Sequence, residues 1–402
     1  MMPQTRTLLL LAGLVVGYFL LLFANPARAS LRDGLRCLRR HPQLWTLPAF
    51  CGFVHACYQL ATRFVGIAAQ PPAPWTGWSP PDWRAAAIHG ALPAVEGVAG
   101  IFNVLIGTEP VAALAALLFL AHWRGYSGEL GRALRRRFGW ARGIPFQVLL
   151  MLCALAAFLK PALLLLGHQR LLGAVPGTTA EGGALVLALP WLLASIEALG
   201  FVFECCLGVA LQMYLISLAF AWVRGFGFER DALRRFALRR FAGVLPWTLT
   251  VLALGAVGIQ LPLFLLAAGV PISTDWALGW VQAGRWLLAF VLLTFATVQL
   301  SMVFHRRTLR AAVRNNWRLW RRHGSLLGWL MTLALIHFAL LTTTHGAFVA
   351  AAGGEGSWPA NGLLLLFPLA WSALGGWLLA SWVCLFRRLE RDRPEAEDLV
   401  EF

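Results

Sequence analysis

Six ionisable side chains lie inside long apolar runs of this 402-residue chain, and their residue types could do chemistry. At the middle of a membrane helix even a shielded charge costs about 2.5–3.5 kcal/mol, so such residues mark a pathway, a relay or a structural ion pair. One of them is the only lysine of the sequence. The six candidates are Lys160, Glu197, Glu204, His55, His337 and Arg285.

The rise of a helix places two of these side chains at the same depth. Lys160 follows Arg142 by 18 residues, and Glu204 precedes Arg224 by 20 residues. At 1.5 Å per residue these separations are about 27 Å and about 30 Å. We therefore predict a Lys160–Glu204 ion pair, with Glu197 nearer the outer surface. The pair could lock two helices or relay a proton or substrate; alternatively, Lys160 snorkels unpaired to the outer surface.

His55 and His337 admit two interpretations. Haem iron in a helix bundle can be held by histidines on facing helices, and one histidine on each of two helices is the minimum for such a site. Hydrogen-bonded core histidines are the preferred interpretation. The seven cysteines show no CxxC pair and no metal-ligand spacing with histidine. Because no nucleophile, phosphate-loop, dinucleotide or zinc-protease motif is found either, the sequence predicts no catalytic residue, no metal and no cofactor.

The composition indicates which elements position these residues. Hydrophobic residues make up 59% of the chain and charged residues 13%, whereas a soluble domain carries about 25% charged residues. Several apolar runs exceed the roughly 18 residues that a helix needs to cross a bilayer. The fold class predicted is all-α: a polytopic membrane helix bundle with about nine transmembrane helices.

A basic helix that ends in Arg-Arg-aromatic occurs four times, each time before a membrane-length apolar run. We predict four repeats of one basic amphipathic interfacial helix plus two membrane helices, after an N-terminal anchor. Units A and D share Arg-Arg-His followed 14 residues later by a second His, whereas units B and C have Phe after the arginines. The arginine pairs are Arg39 and Arg40, Arg136 and Arg137, Arg239 and Arg240, and Arg321 and Arg322.

These repeats set the predicted domain boundaries. Residues 1–29 form a membrane anchor or signal-like segment, 30–388 a single integral membrane domain, and 389–402 an acidic cytoplasmic tail. Ala27-Arg28-Ala29 resembles a signal-peptidase site. We favour an uncleaved anchor, because cleavage would leave the basic residues that follow on the outer side. The repeat units span 30–125, 126–226, 227–305 and 306–388.

Two apolar stretches, 84–107 and 184–199, could be re-entrant or lie on the outer surface. The second belongs to an apolar run over 184–223. As one helix that run would measure about 60 Å, twice the hydrocarbon core. The sequence therefore predicts a break at Gly200.

Most of the arginines fall in five short segments, and two apolar helices separate each segment from the next. All five therefore lie on one face, which the positive-inside rule makes the cytoplasmic face. Topology thus explains the net charge of +16, and nucleic acid is not an expected partner. The four Arg pairs are expected to face anionic lipid. The segments are 28–40, 124–142, 224–240, 306–322 and 387–393.

This alternation of basic helices with pairs of membrane helices, over most of 30–388, resembles the membrane domain found beside bacterial glycerophosphodiester phosphodiesterases and related polytopic families. The four Arg-Arg-aromatic elements carry the resemblance. It implies a multi-pass protein of the bacterial cytoplasmic membrane, and our topology places its C-terminus in the cytoplasm. No phosphodiesterase domain is present in the sequence, so the resemblance assigns no active-site residue.

Three functions follow as hypotheses. The first is a non-enzymatic inner-membrane scaffold or accessory subunit, whose basic helices bind the cytoplasmic leaflet, a membrane-protein partner or a second copy of the chain. The second is a transporter or permease subunit with a polar pathway around Lys160, Glu197 and Glu204. The third is an intramembrane enzyme that acts on a lipid-linked substrate through these acids and the histidines.

Overall fold

The computed structural model describes residues 3–64, 109–137, 144–166, 183–225, 230–267, 270–294, 296–305, 307–351 and 358–390. All regular secondary structure in these ranges is helical, so the all-α class is confirmed. The helices are α1 (Pro3–Phe23), α2 (Arg28–Arg40), α3 (Gln43–Phe64), α4 (Glu109–Ala121), α5 (Trp123–Arg137), α6 (Ile144–Leu166), α7 (Gly183–Arg224), α8 (Arg230–Ala267), α9 (Thr274–Thr294), α10 (Ala296–His305), α11 (Leu309–Ala351) and α12 (Trp358–Glu390).

Two segments of the described helices are long and apolar enough to cross a membrane, judged by length and composition. They are Ala198–Arg224 in α7 and Leu365–Glu390 in α12. Pro110–Ala121 and Gln147–Leu163 are shorter apolar helices. The number of nine crossings therefore stays a prediction.

The helices of the four units pack in a closed cycle. Within the units, α3 contacts α4, α6 contacts α7, α8 contacts α9, and α11 contacts α12. Between the units, α4 contacts α6, α7 contacts α8, α10 contacts α11, and α12 returns to α3. Each unit thus packs against the next, and the last closes on the first. Across the cycle α7 also contacts α12, and α1 packs against α11.

Small residues allow α12 to approach α2 and α3 closely. A Cβ added at Gly376 would lie 2.6 Å from the main-chain oxygen of Leu44 on α3, and Gly34 of α2 lies directly against Ser381. Ser372, Gly376 and Ala380 are spaced by four residues and buried, so they form one side of this contact. The Nε1 of Trp377 also donates a hydrogen bond to the Leu31 oxygen at 2.8 Å.

The Arg-Arg-aromatic elements differ in backbone geometry. Helix α2 ends at Arg40, and His41 is its C-cap residue. The proline at position 42 explains the end of the helix, because a residue before proline is disfavoured in the α conformation. His323 bends α11 with φ −130° and ψ 29°. Helix α8 continues through the buried Phe241, whereas Phe138 lies outside the described residues. The two Arg-Arg-His elements therefore change the helix direction, and Arg-Arg-Phe in α8 does not.

The predicted break at Gly200 is wrong. Helix α7 runs without interruption for 42 residues, about 63 Å. A Cβ at Gly200 would lie 3.3 Å from Cδ of Lys160 and 3.4 Å from Cα of Ala157. The glycine therefore serves the close approach of α6, and 184–199 continues α7. The stretch 84–107 and residues 391–402 lie outside the described ranges.

Candidate functional site

The predicted Lys160–Glu204 ion pair is confirmed. Nζ of Lys160 on α6 donates to Oε1 of Glu204 on α7 at 3.1 Å, and the two side chains are 12% and 6% exposed. Gly200 lies one turn before Glu204 and leaves room for the lysine stem. The pair is therefore held in a tight contact between two helices of unit B.

His55 and His337 do not join this pair in the described contacts. His337 on α11 is 3% exposed, and its ring lies 5.8 Å from the Tyr18 ring of α1. His55 is half-buried on α3. Glu197 lies on α7 and Arg285 on α9, and both side chains are outside the described part of the structure. No three His, Cys, Asp or Glu side chains among the described residues form a group that could hold a metal ion.

A second charged site surrounds Glu390, the last residue of α12, which the sequence places in the acidic tail. Nδ2 of Asn315 donates to Oε1 of Glu390 at 3.1 Å, and Nη1 of Arg307 lies 3.9 Å from the same oxygen. His305 also contacts the carboxylate. Sequence reasoning missed this site because these residues are up to 85 positions apart.

The arginines near Glu390 are explained by the helix ends that meet there. His305 is the last residue of α10. Burial lowers the pKa of its ring to about 4, with further lowering by Arg307, Arg224 and Arg387. Helices α7, α10 and α12 all end here, and helix C-termini carry partial negative charge. The arginines therefore neutralise three helix ends as well as the carboxylate.

Contacts among the five basic segments place them at one end of the protein. Arg388 pairs with Asp33 of α2, and Arg234 of α8 pairs with Glu129 of α5 at 2.6 Å. Beneath them, a series of aromatic contacts joins α8, α7, α10 and α12. It contains Phe236 and Phe220 at 6.3 Å, Phe220 and Phe304 at 4.2 Å, and Phe304 and Phe386 at 5.5 Å. These contacts agree with the single basic face predicted from the sequence.

Helices α2 and α11 present matching rows of exposed arginines, which we call the arginine stripes. Each member in α2 has a counterpart in α11 exactly 282 positions later. The opposite side of α2 is buried, with Leu31, Gly34 and Cys37 facing the protein. The matched spacing extends the repeat between units A and D beyond the Arg-Arg-His elements. The stripes are Arg28, Arg32, Arg36, Arg39 and Arg40 in α2, and Arg310, Arg314, Arg318, Arg321 and Arg322 in α11.

Of the predicted lipid-facing pairs, those in α2 and α11 are exposed. In α8, Arg239 is exposed, whereas the Arg240 guanidinium is half-buried 5.0 Å from the Phe236 ring centroid. Arg136 and Arg137 lie on α5, and their side chains are outside the described part of the structure.

Buried neutral polar side chains lie on three helices, and we call them the amide cluster: Gln212 of α7, Thr297 and Gln299 of α10, and Asn316 of α11. Nε2 of Gln212 donates to Oε1 of Gln299 at 2.8 Å, and Nδ2 of Asn316 donates to the Thr294 oxygen at 3.3 Å. Sequence reasoning missed the cluster because only ionisable residues were sought. The available signal was Thr297, Gln299 and Ser301 in an otherwise apolar run.

The fold and these sites define an all-helical protein with its cationic helices gathered at one end. No family model, no curated protein and no solved structure matches the chain. Function must therefore be inferred from the sites themselves.

Proposed function

We propose that the chain is a multi-pass protein of the bacterial inner membrane that binds anionic lipid of the cytoplasmic leaflet through its basic helices. It acts as a scaffold or accessory subunit and not as an enzyme. Large apolar side chains that remain exposed on several helices support a lipid environment, because transfer of apolar surface from water to hydrocarbon is favourable. They include Leu20 at 65%, Phe50 at 59%, Leu118 at 58%, Leu287 at 63% and Leu366 at 62%.

The arginine stripes are the observation that carries the proposal. Ten arginines are exposed on α2 and α11, at the end where the basic segments meet. A basic residue near an acidic lipid surface contributes about 1 kcal/mol. Because α2 packs its buried side against α12, its arginines face outward from the protein.

The scaffold interpretation is also supported by the contacts of the buried charged side chains, which pair with each other. Lys160 pairs with Glu204, and Glu390 contacts His305 and Arg307. These contacts stabilise helix packing, and none of them resembles an acid, base or nucleophile arranged around a substrate.

The proposal is tested by measuring lipid bound to the purified protein. In nanodiscs with equal parts of phosphatidylglycerol and phosphatidylcholine, native mass spectrometry should show enrichment of the anionic lipid around the wild-type protein. Replacing Arg39, Arg40, Arg321 and Arg322 with Gln should lower that enrichment at least about threefold. The expected reduction follows from the loss of about 1 kcal/mol for each residue in contact with an anionic headgroup.

The matched control replaces the same four arginines with Lys, which keeps the charge. This variant should bind anionic lipid nearly as well as the wild type, because Lys and Arg contribute alike to the diffuse attraction to an acidic lipid surface. Equal enrichment in the wild type and the Gln variant would reject the proposal.

A transport pathway is the second candidate function, and the buried Lys160–Glu204 pair favours it. Intramembrane ion pairs occur along proton and substrate pathways. A pH-sensitive dye inside proteoliposomes should then report a proton flux driven by a potassium diffusion potential. The Lys160→Met, Glu204→Gln double variant should abolish that flux. The absence of flux in the wild-type protein would reject proton transport.

A further inference from the structure

The arginine stripe of α2 is a cationic surface that the described residues do not neutralise. Asp33 is the one acidic side chain of α2, and it contacts Arg36 of the stripe. The other members of the stripe have no acidic partner in the part of the chain that the structure describes. The stripe can therefore accept further acidic groups.

The residues that follow α12 supply such groups. Residues 394–402 contain four acidic side chains and no basic one. An opposite charge close to the point of attachment attracts a segment of this kind. The four acids are Glu395, Glu397, Asp398 and Glu401.

The carboxylate of Asp33 connects the stripe to the end of α12. Nη1 of Arg36 lies 3.4 Å from Oδ1 of Asp33, and Nη2 of Arg388 donates to Oδ2 of the same carboxylate. Arg388 is two residues before the last residue of α12. The close contact of Gly34 with Ser381 also holds the two helices together. The chain therefore leaves α12 beside the α2 stripe.

The segment is long enough to cover the stripe. Asp398 follows Glu390 by eight residues, and an extended chain of that length spans up to about 26 Å. The stripe runs from Arg28 to Arg40, which is about 18 Å along a helix about 10–12 Å wide. Residues 394–402 can therefore pass around the side of α2 and reach its exposed arginines.

We propose that residues 394–402 dock on the arginine stripe of α2 in the same chain, with their carboxylates against its guanidinium groups. The α2 stripe fits better than the matching stripe of α11, because Asp33 joins it directly to α12. On α11, Glu390 bonds to Asn315, which is buried and does not belong to the stripe. The docked segment occupies arginines that otherwise face anionic headgroups.

The test is carbodiimide cross-linking of the full-length protein in phosphatidylcholine nanodiscs, which joins carboxylates to amines in contact. The only lysine of the sequence is Lys160, which is buried and paired with Glu204. Arg36→Lys adds an exposed amine to the stripe and keeps its charge. We expect peptide mass spectrometry to find an amide bond between position 36 and an acid of residues 394–402. The yield should fall about tenfold in 1 M salt, where the Debye length shortens to about 3 Å.

A second position guards against a competing reaction of the new amine with Asp33. Arg32→Lys also lies in the stripe, and adjacent residues of a helix do not face each other. The matched controls are Arg318→Lys and Arg314→Lys, the counterparts 282 positions later on α11. These control positions are equally exposed and should give only traces of a cross-link to residues 394–402.

Three results would overturn the docking. The first is the absence of a cross-link to residues 394–402 from both α2 positions. The second is an equal yield from α2 and α11, which would indicate a general attraction to the basic end. The third is a product of twice the chain mass and none within one chain, which would assign the segment to a second copy. Because these nanodiscs contain no anionic lipid, none of the three results bears on the lipid-binding proposal.

Discussion

The Lys160–Glu204 pair is held between α6 and α7 by the residues around it. Gly200 leaves space for the lysine stem, and both charged groups are almost fully buried. Removing one partner of a buried pair leaves an uncompensated charge and costs about 3–5 kcal/mol, although replacing both partners is often tolerated. The pair therefore enforces a particular packing of α6 on α7 more than it adds net stability.

Lys160→Met should therefore lower the yield of folded protein, because Glu204 would remain buried and charged. We expect a loss of about 3–5 kcal/mol in the free energy of unfolding. The measurement is the monodisperse fraction in size-exclusion chromatography after heating. The Lys160→Met, Glu204→Met double variant should recover most of the lost stability.

The control is Arg36→Gln, which breaks the exposed Arg36–Asp33 pair. Exposed pairs contribute about 0–1 kcal/mol, so this variant should behave like the wild type. A normal yield together with normal activity for Lys160→Met alone would contradict both the structural and the relay interpretations.

Helix α12 is the element that closes the protein, because it packs against both α2 and α3. Gly376 of this helix faces the main-chain oxygen of Leu44 and not a flexible side chain. The added methyl group of an alanine cannot be accommodated by a change of rotamer, so the helices themselves must move apart.

Gly376→Ala should lower the free energy of unfolding by about 1–3 kcal/mol. Helix propensity alone would predict the opposite sign, since alanine is favoured over glycine by about 1 kcal/mol in a helix. Gly243→Ala on α8, where no atom lies within 4 Å of the added Cβ, is the control and should be neutral or stabilising. Chemical denaturation of both variants measures the difference. Equal effects would show that α12 does not need this close contact.

The protein as a whole combines a closed cycle of helices with a single cationic end. Ion pairs and aromatic contacts connect the basic segments there. In a bacterial membrane, that end is expected on the cytoplasmic side. The connection between α8 and α9, which contains Val270, should then lie on the opposite side.

Thiol labelling can test this orientation. A membrane-impermeant maleimide should label Val270→Cys in intact spheroplasts and Arg310→Cys only after lysis. Both positions are exposed, and peptide mass spectrometry identifies the labelled site against the seven native cysteines. The buried Cys37 should resist labelling in both preparations. Labelling of both engineered sites from the same side would contradict the predicted topology.

Composition and local spacing were sufficient for the helical class, the basic segments and the Lys160–Glu204 pair. These features depend on run length, charge and the rise per residue, which are local properties of a helix. The role of Gly200, the amide cluster and the return of α12 to α2 could not be predicted in this way. They depend on which of several similar apolar faces meet, and Trp377 bonds to a residue 346 positions away. Only the packed helices select those faces, because close contact between backbones and burial of polar groups arise from all the helices together.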